Sequence, residues 1–170
     1  LKNLDYIASR SLLGFVYPVK KGIAPESDIA VMSILGYNPF RYHTGRGPLE
    51  MHGAGLNPKK FLALRLNFAT KKNNRIIDRR VARTLSSKEA KSLCKQISKK
   101  VKLSVSYILK HTTEHRAILV FLRKLPWEIT NTDPDYKRLG KLGVAKNKSE
   151  NKIIKCKPLS QKAKISAELI

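Results

Sequence analysis

Apolar and polar positions alternate most clearly in the middle of the chain. Between residues 61 and 69, leucines take every second position, while Arg65 and Asn67 fall on the other face. A period of two is that of a β-strand with one buried face. The same alternation returns over residues 101–109, and residues 115–124 form another apolar segment. We therefore expect three strands in these segments.

A helix is predicted between the first strand and the second. Ser86 and Glu89 have the spacing of a capping box, which satisfies the first amides of a helix. The residues that follow place apolar side chains at helical spacing, namely Ala90, Leu93, Cys94, Ile97 and Val101. This pattern predicts an amphipathic helix with one buried face.

Residues 75–85 are ambiguous. Ile77, Val81 and Leu85 recur every four residues, which suits a helix, but the same segment also fits a strand. The polar turn at residues 71–74 favours the strand, because such a turn joins the two strands of a hairpin.

These elements predict an α+β fold. Residues 59–132 read β–β–α–β–β, a small two-layer domain with a helix packed on an antiparallel sheet. Residues 1–58 are expected to hold N-terminal helices and then, from residue 37 to 60, a Gly- and Pro-rich loop that extends as an arm. Residues 133–170 lose the pattern and are expected to be a basic tail that a partner orders.

The net charge indicates the class of binding partner more directly than the overall composition does. The chain has 170 residues, 35 Lys and Arg, 12 Asp and Glu, and a net charge of +23. Residues 59–125 alone carry +16. Such an excess is typical of proteins that bind polyanions, of which nucleic acid is the commonest. No apolar stretch is long enough to span a bilayer, so a membrane partner is not expected.

The cations expected to contact phosphates form two main groups. Arg75, Arg79, Arg80 and Arg83 cluster in one segment, and lysines repeat every four residues on the predicted helix. Arginine is favoured for bidentate contacts to phosphate. The full predicted nucleic-acid surface comprises Arg41, Arg46, Lys59, Lys60, Lys71, Lys72, Arg75, Arg79, Arg80, Arg83, Lys91, Lys95, Lys99, Lys137, Arg138 and Lys141.

Signatures of catalysis and metal binding are missing from the sequence. There is no P-loop, no dinucleotide fingerprint and no nucleophile elbow. His111 and His115 fall in a predicted hairpin turn with no third ligand, and His43, Glu50 and His52 lie in the Gly-rich loop without a matching nucleophile. We therefore expect no enzyme, and assign no catalytic, cofactor-binding or metal-binding residue.

The organisation resembles that of ribosomal proteins as a class, which combine a small α+β core with basic arms. The expected function is a structural RNA-binding protein, ribosomal and possibly organellar, or another ribonucleoprotein subunit. Folded RNA is favoured over DNA, with neighbouring proteins of a large assembly as further partners. Cys94 and Cys156 form no CxxC pair and no Cys/His cluster, so a zinc site is not expected. Their small number fits a reducing compartment, such as the cytosol or mitochondrion, better than secretion. A viral or chromosomal packaging protein and a nuclease-type enzyme are the alternatives.

Overall fold

The computed structural model describes residues 1–57, 61–134, 136–139, 142–145 and 151–170. In these ranges the helices are α1 Lys2–Ala8, α2 Ser27–Ile34, α3 Pro39–Tyr42, α4 Arg46–Gly53, α5 Ser87–Lys100 and α6 Lys164–Glu168. The strands are β1 Leu62–Asn67, β2 Thr70–Lys72, β3 Arg75–Asp78, β4 Tyr107–His111, β5 Arg116–Phe121, β6 Tyr136–Leu139 and β7 Leu142–Ala145. A turn with positive φ angles spans Val81–Arg83, and a short 3-10 helix spans Gln161–Ala163.

A three-stranded antiparallel sheet of order β1-β5-β4 forms the centre. Its middle strand, β5, is an almost uninterrupted apolar run, as expected of a strand covered on both faces. Ile118, Val120 and Phe121 are completely buried. Opposite residues of antiparallel strands point to the same side, so the register decides which side chains of β1 and β5 meet.

Helix α4 packs on one face of this sheet. Met51 of α4 forms a buried cluster with Ala63, Ile118 and Val120. The approach is close because Gly47 has no side chain: a Cβ there would lie 1.8 Å from the carbonyl oxygen of Ala63. The opposite face carries a second buried cluster, formed by Leu62, Val105, Phe121 and Leu125.

Helix α5 begins at the predicted capping box, which the structure confirms. The Glu89 amide donates to the Ser86 hydroxyl at 3.3 Å, and the Ser86 amide donates to a Glu89 carboxylate oxygen at 2.9 Å. The helix packs against β4 and buries Ala90 and Cys94. Its lysines at positions 91, 95 and 99 are exposed.

The predicted α+β class with an antiparallel sheet and packed helices is confirmed. Two details differ. Residues 75–85 are a strand only as far as Asp78, because Val81, Ala82 and Arg83 adopt positive φ angles. The predicted loop at residues 37–60 contains the helices α3 and α4. Both are short and lack a helical period in the sequence, because short helices depend on tertiary contacts for their stability.

Hydrogen bonds attach the described part of the tail to residues 126–130 of the same chain. The Thr130 amide donates to the Lys157 carbonyl at 2.9 Å, and the Leu159 amide donates to the Glu128 carbonyl at 2.7 Å. The buried Ser166 hydroxyl donates to the Pro126 carbonyl at 2.6 Å. The division of the chain at residues 58 and 132 into separate units stays a prediction.

Across the described ranges, no helix combines the length and the apolar character that crossing a membrane requires.

Candidate anion-binding site

The start of α4 meets the start of α2 through Arg46. One terminal nitrogen of Arg46 lies 3.0 Å from a Glu26 carboxylate oxygen, and the other donates to the Ser27 hydroxyl at 3.2 Å. The Arg46 Nε lies 3.5 Å from an Asp28 carboxylate oxygen. A single guanidinium therefore joins three consecutive side chains, and it holds Ser27 in place while that residue stays exposed.

His43 supports the same corner from the interior. Its ring is buried, and its Nε2 lies 2.7 Å from the second carboxylate oxygen of Asp28. An ionised carboxylate only accepts hydrogen bonds, so Nε2 carries the proton. Burial raises the pKa of Asp28, but the hydrogen bond to His43 and the charge of Arg46 outweigh it and hold the pKa below its usual value. Asp28 is therefore ionised at neutral pH.

Arg65 brings a second guanidinium to this region from β1. It is mostly buried, and its Nε lies 3.3 Å from a Glu50 carboxylate oxygen of α4. Burial, together with the charges of Arg46 and Arg116, lowers the pKa of Arg65 to about 10. Arg65 is thus still a cation at neutral pH, held close to two others.

Arg116 reaches the site because of the strand register. Arg65 lies opposite Ile118, and Asn67 lies opposite Arg116. These four residues therefore share the face of the sheet on which α4 packs. The polar side of β1 is not a solvated surface, because α4 covers it and converts it into a site lined by arginine.

His115 closes the site beside Arg116. Its side chain is 2% exposed, and burial and the charges of Arg116, Arg80 and Arg65 lower its pKa, against the opposite effect of Glu114. His115 is therefore neutral at pH 7. Arg80 follows β3, and the β2–β3 hairpin is attached next to His115, because the Phe68 amide just before β2 donates to the His115 carbonyl at 2.7 Å. We therefore include Arg80 in the site.

We call Arg46, Arg65, Arg80 and Arg116 the arginine cluster. Its members come from α4, β1, the segment after β3, and β5. Buried polar atoms around it that form no hydrogen bond among the described residues include Arg116 Nε, Asn67 Oδ1 and His115 Nδ1. Buried polar groups are normally satisfied, and converging guanidinium groups bind phosphates and carboxylates. The arrangement is therefore suited to a small anion with several oxygens.

Within the described residues, no group of three or more His, Cys, Asp or Glu side chains is arranged to hold a metal ion.

The predicted cations are largely not at this site. Arg46 and Arg80 belong to the cluster, and Arg79 forms an ion pair with Asp133. The remaining predicted cations whose side chains are described all lie on the exposed surface: Arg41, Lys71, Lys72, Arg75, Arg83, Lys91, Lys95, Lys99 and Lys137. Lys59, Lys60 and Lys141 lie outside the described residues, as does the side chain of Arg138.

Sequence reasoning missed the residues that make the site compact. Arg65 and Arg116 were not among the predicted cations, and His43 and Glu50 were weighed for acid–base chemistry and set aside. Arg65 does carry a signal, since it is a lone cation in the middle of an apolar strand. Buried arginines are uncommon unless they are paired, so such a position indicates a partner or a ligand.

Comparison with known proteins places these residues in a family. The family model of 2,3-bisphosphoglycerate-independent phosphoglycerate mutase matches residues 8–170. A protein of that name from Aeropyrum pernix is 43% identical over 166 residues, which cover 92% of this chain and 39% of the relative. Another, from Pyrobaculum arsenaticum, is 35% identical over 177 residues, covering 99% of this chain and 40% of the relative.

A solved structure agrees with these sequence similarities. The cofactor-independent phosphoglycerate mutase from Thermoplasma acidophilum matches with a TM-score of 0.58 and 31% identity. The match covers 89% of this chain and 40% of that chain. This chain thus spans about two fifths of the length of the relatives it matches.

These similarities contradict the functional predictions from sequence. The relatives are named as enzymes, so the prediction of a non-enzymatic RNA-binding protein is wrong. The predicted RNA, DNA and assembly partners and the ribosomal or mitochondrial localisation are wrong for the same reason, as are the packaging and nuclease alternatives. Net charge describes the field around a chain, but it does not reveal which cations converge on one ligand.

Proposed function

Because this chain belongs to the 2,3-bisphosphoglycerate-independent phosphoglycerate mutase family, we propose that its arginine cluster binds the anionic groups of a phosphoglycerate. The supporting observation is that α4 brings Arg46 to the sheet face that carries Arg65 and Arg116, beside buried polar atoms that form no hydrogen bond among the described residues. A phosphoglycerate carries a phosphate and a carboxylate, and both match the fork of a guanidinium group.

The carboxylates around the cluster keep its guanidinium groups in position. Glu26 and Asp28 hold Arg46, and Glu50 holds Arg65. A bound anion therefore meets cations that are already oriented, which limits the conformational entropy lost on binding. Preorganised cations around a phosphoryl group also stabilise the charge of the transition state in phosphoryl transfer.

Ser27 is our candidate for the side chain that accepts the phosphoryl group. A mutase that works without the bisphosphate needs another carrier for the group that moves. The Ser27 hydroxyl is exposed, and it contacts the cluster directly through Arg46. Its oxygen would attack phosphorus as the hydroxyl loses its proton, and the bond from phosphorus to the glycerate oxygen would break, with that oxygen taking up a proton. The other glycerate hydroxyl would then attack the phosphoserine and release Ser27.

Since the chain spans about two fifths of its relatives, ligand binding and phosphorylation of Ser27 test the proposal more directly than turnover does. Titration of 3-phosphoglycerate into the chain by isothermal calorimetry measures the first. Replacing Arg65 by Gln should weaken binding on the order of 10- to 100-fold, because a hydrogen bond to a charged group contributes about 1.5–3 kcal/mol.

Arg123→Gln is the matched control. Arg123 is exposed and lies just beyond Phe121, the end of β5, whereas Arg116 lies at its start. The two substitutions remove the same charge, so a general effect of net charge would weaken binding equally in both. Equal loss of affinity in the two variants would rule out the arginine cluster as the binding site.

The role of Ser27 has its own test. After incubation with 3-phosphoglycerate and rapid acid quenching, mass spectrometry should detect one added phosphoryl group on the peptide that contains Ser27. Ser27→Ala should lose this modification but still bind 3-phosphoglycerate, since the arginines remain. Phosphorylation of a different residue, with Ser27 unmodified, would assign the carrier role elsewhere.

A further inference from the structure

An unusual turn follows strand β3. Val81, Ala82 and Arg83 have φ angles of 52°, 47° and 58°, which is the left-handed region that residues with a side chain rarely occupy. Val81 is β-branched, which makes this conformation less favourable still. Three such residues in succession need a specific interaction to hold them, and strained backbone of this kind tends to occur at functional sites.

The carboxylate of Asp78 supplies that interaction. One of its oxygens accepts the Arg80 amide at 2.7 Å, and the other accepts the Ala82 amide at 2.7 Å. The turn is completed by the Arg83 amide, which donates to the Arg80 carbonyl at 2.9 Å. Both oxygens of Asp78 are therefore used on the backbone of the turn, and these two hydrogen bonds lower the pKa of Asp78.

The turn lies next to the arginine cluster. Asp78 pairs with Thr70 in the β2–β3 hairpin, and two residues before Thr70 the Phe68 amide donates to the His115 carbonyl at 2.7 Å. The hairpin is thus attached at its base to the strand that carries Arg116. The charge of Arg80 acts on both Asp78 and His115, which agrees with this placement.

We infer that Asp78 is a positioning residue: it holds the left-handed turn at residues 81–83 and thereby places Arg80 beside His115 in the arginine cluster. The inference rests on the proposed function, since Arg80 is taken to bind the same anion. Asp78 itself has the wrong charge to contact that anion, so its effect on binding passes through the backbone of the turn.

Replacing Asp78 by Ala distinguishes a positioning role from a purely electrostatic one, because the two predict opposite changes in the affinity for 3-phosphoglycerate. Removal of a negative charge near the cluster should by itself strengthen the binding of an anion. Loss of the turn should instead weaken the affinity for 3-phosphoglycerate, on the order of 10-fold if one charged hydrogen bond is lost. Asp5→Ala, an exposed aspartate on α1, is the control for net charge and should leave affinity unchanged.

A second substitution tests whether the turn conformation is the cause. Glycine adopts positive φ without a steric penalty, so Ala82→Gly favours the turn even without Asp78. The double variant Asp78→Ala/Ala82→Gly should recover most of the lost affinity, whereas Ala82→Gly alone should bind like the unmodified protein. Affinity that stays low in the double variant, or that rises in Asp78→Ala, overturns the inference.

A structural measurement keeps this result separate from the proposed function. In the ligand-free protein, strong NOEs between the amide and Hα protons of residues 81–83 report positive φ, and they should disappear in Asp78→Ala. If the unmodified protein fails to bind 3-phosphoglycerate, the proposed function fails, while loss of these NOEs would still support Asp78 as the residue that holds the turn. NOEs that persist without the carboxylate contradict that role, and Asp78→Asn serves if the alanine variant does not fold.

Discussion

An added methyl group at Gly47 should lower the stability of the fold strongly. It lies in the first turn of α4, where the helix crosses β1. A Cβ at this position would lie 1.8 Å from the carbonyl oxygen of Ala63, 2.5 Å from its carbonyl carbon and 3.1 Å from the Leu64 nitrogen. All three atoms belong to the backbone, so no side-chain rotation relieves the contact.

The size of the effect follows from the distance that the helix must move. To bring the 1.8 Å contact to 3.0 Å, the limit of observed Cβ contacts, α4 and β1 must separate by at least 1.2 Å. That shift opens the cluster of Met51, Ile118 and Val120. Overpacking of a core costs about 1–3 kcal/mol, and we expect Gly47→Ala to lower the free energy of unfolding by about 3 kcal/mol.

Urea unfolding followed by circular dichroism measures this loss, and Gly53→Ala provides the matched control. Gly53 ends the same helix, and a Cβ there meets no atom within 4 Å. Because alanine is favoured over glycine in helices by roughly 0.5–1 kcal/mol, Gly53→Ala should be neutral or slightly stabilising. If Gly47→Ala unfolds at the same urea concentration as Gly53→Ala, the packing of α4 on β1 described here is wrong.

Three further predictions concern α5 and the titrating groups of the site. Ser86→Ala should lower stability by about 1 kcal/mol through loss of the helix cap, whereas Ser87→Ala should not; thermal melts compare them. The unfolding free energy should fall as the pH drops below about 6.5, because the pKa of His115 is lower in the fold, so the unfolded chain binds the proton more readily. In a pH series of urea titrations, His115→Gln should show a weaker pH dependence in this range. The stabilisation due to ionised Asp28, fully present above about pH 3.8, should be lost as pH falls below that value; an acid titration of Asp28→Asn that matches the unmodified protein would contradict this.

The elements that local pattern predicted are those with a strong period of their own. β1, β4, β5 and α5 fall in segments whose apolar residues alternate, run continuously or recur at helical spacing in the sequence. The α5 cap is a local hydrogen-bond pattern between Ser86 and Glu89. Helix α4 carries no such pattern. It holds Gly47 and Gly53 and is stable in this fold because Met51 and the close approach at Gly47 attach it to the sheet.

The site itself depends on contacts between distant segments. Asp28 and His43 are 15 residues apart, and Glu50 and Arg65 are likewise separated. In the sequence, Arg65 is one cation among 35 basic residues, and its burial distinguishes it from them only after α4 covers the sheet. The predicted phosphate contacts centred instead on the segment of Arg75 to Arg83. They continued over Lys91, Lys95 and Lys99, which the fold leaves in solvent.

The sequence by itself determined the fold class, the amphipathic helix α5 and the abundance of cations, because periodicity, capping and charge are properties of neighbouring residues. Only the tertiary structure decided which cations act together. The pairing of β1 with β5 brings Arg65 and Arg116 to one face, and α4 adds Arg46 and Glu50. A binding site is defined by distances of a few ångströms between groups far apart in the chain, and these distances are set by packing.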